Sequence, residues 1–376
     1  MKRFLKNISL FLLPLWLALP FLVWIYFQAR QTGEFDTVEH NSEIQRNNHG
    51  CLMGMGYNES TAYYKLLNAD YYKAPVISLG TSRVMQFNKD FFLTDFYNCG
   101  GAVAGNYNEY KNFLENLAYT PEAVIVGLDS WVFNDAWNRQ VANWHGFKKI
   151  ETVPRSILSI SISIAKDWIS KKWSARDLNR YPGNRGFNGR IKDEGFMYDG
   201  SYYYGYIYRD PTSSSDYQFA NTLWRIQNNT SRFEWGGHID GDTLVQLENL
   251  LSYCKEKNIT VIAFLPPFAP TVYDAMEKSG NYQYLTEIVP ACKKLFSSYG
   301  FEFFDFMDGA FLGSDDDFID GFHGSEIVYA RILERMAAGG SCIGKYVDLG
   351  RIETLQENAY SGLVFFDPHH RKSVEE

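Results

Sequence analysis

Charge is absent from Asn7 to Gln28, a stretch dominated by Leu, Phe, Trp, Ile and Pro that follows Lys2, Arg3 and Lys6. It is long enough to cross a bilayer as one helix, and Pro14 and Pro20 would bend such a helix without preventing insertion. The chain then continues Ala29-Arg30-Gln31 and turns acidic at Glu34, Asp36 and Glu39, with no small-x-small cleavage site. That pattern predicts a retained signal anchor. Basic residues before the span outnumber those just after it, so residues 1–30 are expected to be a cytoplasmic stub plus a single transmembrane helix, with the large part outside.

Beyond a polar, Asn-rich connector over 31–72, the apolar positions change rhythm. Ala74–Gly80, Phe91–Asn98 and Ala123–Asp129 read as strands, Asn108–Leu117 as a helix between the second and third. Later, Leu244, Leu247, Leu250 and Leu251 recur at helical spacing within 242–257, and Val261–Leu265 is a strand closed by Pro266 and Pro267. A helix over 282–299, a strand over 301–306 and a helix over 325–338 complete the series. Apolar strands alternating with helices predict an α/β fold: a three-layer sandwich with a mostly parallel sheet, spanning 73–338. The rhythm fails at about 140–236, which reads as an aromatic insertion. It contains a stretch, 154–172, that is helical by length but alternates Leu158, Ile160, Ile162 and Ile164 with serine, and an Asp199-Gly200 hairpin turn. Residues 339–376 form a C-terminal extension.

Composition narrows the function. A net charge of −8 offers no general grip on nucleic acid phosphates. The five cysteines show neither CxxC nor Cys/His ligand spacing, so no metal and no cofactor is expected.

In parallel sheets, working residues collect at the carboxyl ends of strands. Ser82, in Gly80-Thr81-Ser82-Arg83 after the first strand, is placed as a nucleophile would be. A serine hydroxyl needs a base, and Asp320-Gly321-Phe322-His323 supplies an imidazole and an orienting carboxylate three residues apart. The same segment also reads as a helix cap followed by a surface histidine. His238 and Asp240 look like a similar pair but sit where a helix begins; His369 and His370 with Asp367 lie in a charged tail. The tyrosines at 198, 202, 203, 204, 206 and 208, with Trp137 and Trp235, suit either a sugar-binding platform or hairpin packing.

The Gly-Thr-Ser after the first strand, the Gly100-Gly101 to Gly105-Asn106 loop after the second, the polar loop after the third and the DxxH before the last helix together resemble the SGNH hydrolase superfamily of GDSL-like esterases. The match covers roughly 74–337. The membrane anchor and the Gly-Thr-Ser-Arg block look most like extracytoplasmic acyl-transfer proteins of the DltD type. The resemblance implies a flavodoxin-like fold with Ser82 as nucleophile, His323 as general base and Asp320 as its orienter. It implies an oxyanion hole from the N–H groups of Ser82 and of Gly101 or Gly105. Thr81 stands where the family has Asp, and Gly127-Leu128-Asp129-Ser130 stands where it has GxND, leaving Asn134 as the amide that could serve. Arg83, Asp129, Trp131, Tyr202 and Tyr204 are the corresponding candidates for substrate binding. The expected activity is serine O-acyl transfer (acetyl or D-alanyl) or ester hydrolysis on a bacterial cell-surface glycan or polymer, with a membrane acyl-donor protein as partner. The alternative is a catalytically weak binding or scaffold subunit of an envelope-polymer modification complex. The expected location is the cytoplasmic membrane.

Overall fold

The computed structural model describes residues 1–58, 60–137, 147 and 154–365. The tail group Asp367, His369 and His370 lies outside the described residues. The chain falls into two compact units: one takes Met1–Ser60, Lys149–Tyr198 and Tyr203–Gly205, the other Thr61–Lys148, Asp199–Tyr202 and Tyr206–Glu376.

The second unit is built on a five-stranded, all-parallel sheet. Its strands are β1 (Val76–Gly80), β2 (Phe96–Gly100), β3 (Ala123–Gly127), β4 (Thr260–Leu265) and β5 (Glu302–Asp305), in the order β2-β1-β3-β4-β5. Every residue of β1, β2 and β3 is buried, which explains their largely apolar sequences, interrupted only by Ser78 and Asn98. The helices Tyr107–Asn116, Gly241–Glu256, Tyr284–Tyr299 and Glu326–Ala338 are amphipathic and turn buried residues such as Phe113, Leu250, Ile288 and Leu333 into one continuous core. The second strand begins later than its pattern predicts, because Lys89–Phe91 forms a single helical turn capped by the Asn88 side chain. The C-terminal extension belongs to this core: Ile352, Leu355 and Phe365 are buried, with Phe365 edge-on to Phe91 at 5.6 Å.

Three strands of this sheet end in glycine, and the reason is Val84. A β-carbon on Gly80 or Gly100 would come within 2.9 Å of the Val84 methyls, and one on Gly127 would collide with them outright. The turn that follows β1 therefore sits directly on the strand ends.

The first unit contains the helix Lys2–Thr32, whose Phe11–Thr32 segment has a mean hydropathy of 1.8 and is long and apolar enough to cross a membrane. It closes at Gly33, in the left-handed region at φ +83. Just beyond, the buried Glu34 carboxylate accepts the N–H groups of Gly56, Tyr57, Asn58 and Phe187, which hold the connector against the 187 loop. Pro154–Ile169 is helical despite its alternation, and Ile164 and Ala165 pack into one cluster with Ile25 and Ala29. Glu194–Phe196 and Tyr202–Tyr204 pair as two short strands, as the Asp199-Gly200 turn predicts.

Candidate active site

Ser82 opens a one-turn helix, Ser82–Val84, at the carboxyl end of β1. The strand order reverses at β1, which opens a crevice between the loops after β1 and β3. The turn is tied down from beneath by Asn98, a fully buried β2 residue. Its amide nitrogen donates to the carbonyls of Val84 and Phe87 at 2.8 and 2.9 Å, and its oxygen accepts Gly100 N–H at 2.7 Å.

His323 reaches this turn from 241 residues away: Ser82 Oγ and His323 Nε2 are 2.8 Å apart. His323 Nδ1 is 2.7 Å from Asp320 Oδ2. The second contact fixes the tautomer, with Nδ1–H donating to the carboxylate and Nε2 free to accept the serine proton. Burial pushes the Asp320 carboxyl upward, but the adjacent imidazole and three hydrogen bonds outweigh it and hold the group below its ordinary value. Asp320 is no helix cap. It ends the strand Phe318–Asp320, pairs with His323, and its Oδ1 accepts the N–H groups of Phe322 and His323 at 3.0 and 2.9 Å; the N-cap position of the following helix is Ser325. Asp216, buried, braces the same turn by accepting Gly321 N–H at 2.9 Å.

The other candidate residues are placed as follows. Arg83 is 1% exposed and Asp129 is also 1% exposed, so both lie beneath the crevice and neither can touch a substrate. The guanidinium instead donates to the carbonyls of Phe322, Pro266 and Pro267 at 2.9, 2.8 and 2.6 Å. It lies over Phe268 and Trp131 at 4.4 and 5.1 Å and approaches Asp129 at 3.6 Å. Arg83 thus fastens the His323 turn and the loop after β4 to the residue next to the nucleophile. Asp129 accepts the Thr81 hydroxyl at 2.6 Å, and burial pushes its carboxyl up while Arg83 and Thr81 pull it back. Trp131, 2% exposed, packs edge-on to Phe322. Tyr202 is held through its backbone, donating N–H to Met85 and accepting from the Gln86 side chain, and Tyr204 belongs to the other unit.

Two of the expected oxyanion donors are used elsewhere. Gly101 N–H donates to the carbonyls of Gly80 and Thr81, and the buried Asn134 amide donates to Glu234 O at 2.6 Å while its oxygen accepts Ala136 N–H. Ser82 N–H, at the first position of its helical turn where no intrahelical partner exists, stays available. Gly105, at φ +114 against Val132, is the remaining backbone candidate. His238 does not form a second dyad: it pairs with Glu287 at the surface, and Asp240 caps Gly241–Glu256.

Two residues that sequence reasoning passed over flank the crevice. Arg225 lies 5.7 Å from the Phe322 ring and Arg232 lies 5.7 Å from the Trp131 ring; neither forms a close ion pair among the described residues, though Arg232 is near enough to pull the Asp129 carboxyl down. The stretch between Thr222 and Phe233 holds only these two arginines and carries no motif, and only the return of the chain over Phe322 reveals it.

No group of three or more potential metal ligands occurs among the described residues. No protein-family model matches the chain, and no curated protein matches it significantly.

Proposed function

We propose that the chain is a membrane-anchored serine O-acyltransferase or esterase of the SGNH type, acting on a bacterial cell-surface glycan or polymer from the outer side of the membrane. The observation that carries this reading is the Ser82–His323–Asp320 array, with 2.8 and 2.7 Å contacts in the required order. The β2-β1-β3-β4-β5 strand order, shared by flavodoxin-like sheets, supports the fold reading. The apolar N-terminal helix supports the anchor.

In the proposed reaction Ser82 Oγ attacks the acyl carbonyl as His323 Nε2 takes its proton. The tetrahedral oxyanion is met by Ser82 N–H, and collapse expels the donor's alkoxide or thiolate, which recovers the proton from His323. The acyl-serine ester then passes its acyl group to a glycan hydroxyl or to water, deprotonated by the same imidazole, and the proton returns to Ser82. Asp320 stabilises the imidazolium in both halves. Arg225 and Arg232 favour a donor or acceptor bearing negative charge.

A fluorophosphonate probe tests the nucleophile. Labelling that disappears in Ser82→Ala and His323→Ala supports the enzyme; no labelling of the folded wild type overturns it. Surface-glycan acylation with and without Ser82 then gives the direction, since loss of acyl groups means transfer and gain means hydrolysis. The second reading, a binding or scaffold subunit with weak catalysis, is favoured by one observation: the Gly101 N–H and the Asn134 amide are both committed to structural bonds.

A further inference from the structure

The helix Pro154–Ile169 carries more exposed apolar surface than a water-facing helix needs. Leu158 is 54% exposed, Ile162 39% and Ile169 65%. At 100° per residue these three fall within one narrow stripe. On one side of the stripe lie Ile160, Ile164, Ala165 and Trp168, which pack toward the N-terminal helix; on the other lie Ser159, Ser163, Lys166 and Ser170. The helix therefore has a protein-facing side, a polar side and an unpartnered apolar edge between them. Its interior serines do not require water on that edge, since Ser159 and Ser163 donate their hydroxyls to carbonyls of their own helix at 2.9 and 3.2 Å.

What covers the edge follows from its neighbour. From Ile8 to Phe27 the N-terminal helix rises about 29 Å, close to the roughly 30 Å of a bilayer's hydrocarbon core. Val23 and Phe27 are still 46% and 53% exposed near the outer end of that run. The Pro154–Ile169 helix packs beside this same level. The Trp168 ring lies 5.2 Å from Phe21 and 5.7 Å from Trp24, and Trp173 stacks on Trp24 at 6.4 Å. Phe21 stands about 9 Å below Phe27 along the helix axis. Trp168 and Trp173 thus meet the N-terminal helix within its apolar length.

We propose that Pro154–Ile169 is a second membrane-embedded element, lying in the outer leaflet against the N-terminal helix with Leu158, Ile162 and Ile169 in contact with lipid. The inference rests on the reading that the N-terminal helix spans the bilayer, and it makes the protein monotopic as well as anchored. The stripe lies on a helix packed against the apolar length of the N-terminal helix itself, through Phe21, Trp24, Ile25 and Ala29, which favours lipid over a protein partner.

The test uses the full chain in vesicles of phosphatidylcholine and phosphatidylglycerol, with Cys342→Ser to remove the one cysteine that is not buried. Leu19→Cys, Ile162→Cys, Ile169→Cys and Ser163→Cys are each labelled with bimane and exposed to nitroxide lipid or aqueous iodide. The expected result is severalfold stronger quenching by nitroxide lipid at 19, 162 and 169 than at 163, with the opposite order for iodide. If 162 and 169 follow 163 while 19 follows the lipid, the embedded helix is overturned and the anchor stands. If both quenchers fail at 162 and 169 while 19 responds to lipid, a protein covers the stripe and the proposal is again overturned. If 19 itself responds only to iodide, the anchor fails and the inference with it.

Discussion

At the scale of single residues, the site depends on side chains that never meet a substrate. Arg83 holds three carbonyls and faces Asp129 with both groups buried. Removing one member of such a pair strands the other, at a cost of about 3–5 kcal/mol, whereas removing both is far milder. We expect Arg83→Met to destabilise the fold by that order in urea denaturation, and the Arg83→Met/Asp129→Leu double variant to recover part of the loss. Asp320→Asn should leave the fold intact yet lower turnover by roughly 10³–10⁴-fold, because the amide can no longer hold His323 in the right tautomer. The Asp320 carboxyl is held below its ordinary value of 3.8, so its contribution to stability is complete above about pH 4 and is lost as pH falls below it. Acid titration of wild type against Asp320→Asn checks this: only the wild type should show that component. The meeting of Ser82, His323 and Asp320 was anticipated from the motif order that resembles the SGNH superfamily, since the Asp320–His323 segment alone also reads as a helix cap with a surface histidine. The burial of Arg83 was not, since an arginine beside a nucleophile reads as a ligand until three carbonyls are found to converge on it.

At the scale of elements, the strand ends decide where the nucleophile sits. Gly127→Ala would drive a methyl group into Val84 and lift the Ser82 turn, so probe labelling should fall by more than tenfold while the sheet persists by circular dichroism. Lys65, on the helix Thr61–Tyr72, fastens that helix to the end of β2 by donating to the carbonyls of Asn98 and Gly200. Burial pushes its pKa down to about 7, so between pH 7 and the ordinary 10.5 the unfolded chain binds the extra proton. Wild type should therefore gain stability from pH 7 to 9 relative to Lys65→Met, read as diverging urea midpoints. Periodicity located the five parallel strands within a few residues, since the buried strands are mostly apolar and the edge strand Glu302–Asp305 still carries Phe303 and Phe304 at its centre. It could not reveal that Asn98, a polar residue inside β2, organises the Ser82 turn, because that role exists only once β1 and β2 are paired.

Over the whole molecule, an excess of acidic residues coexists with two guanidinium groups, Arg225 and Arg232, that make no close ion pair among the described residues. Arg225→Gln/Arg232→Gln should leave fluorophosphonate labelling unchanged but raise KM about tenfold for an ester carrying a carboxylate, with little change for a neutral ester, and added salt should shrink the difference. Their role was hidden because residues 206–236, an insertion by sequence rhythm, fold back into the sheet-bearing unit, where Asp216 reaches Gly321. The alternating Ile and Ser of 154–169 misled in the other direction. A period of two suggests a strand, yet a helix with three distinct sides accepts the same residues.

The 241-residue separation between Ser82 and His323 has a consequence for biogenesis. The serine emerges early from the ribosome or translocon, with β1, and has no base until the 318–324 turn docks and Arg83 captures its carbonyl. Under the proposed mechanism, reactivity is therefore a property of the finished chain, and a nascent or stalled fragment carrying Ser82 is expected to be chemically silent. In refolding, probe reactivity should appear with the slowest folding phase and later than the recovery of helical signal.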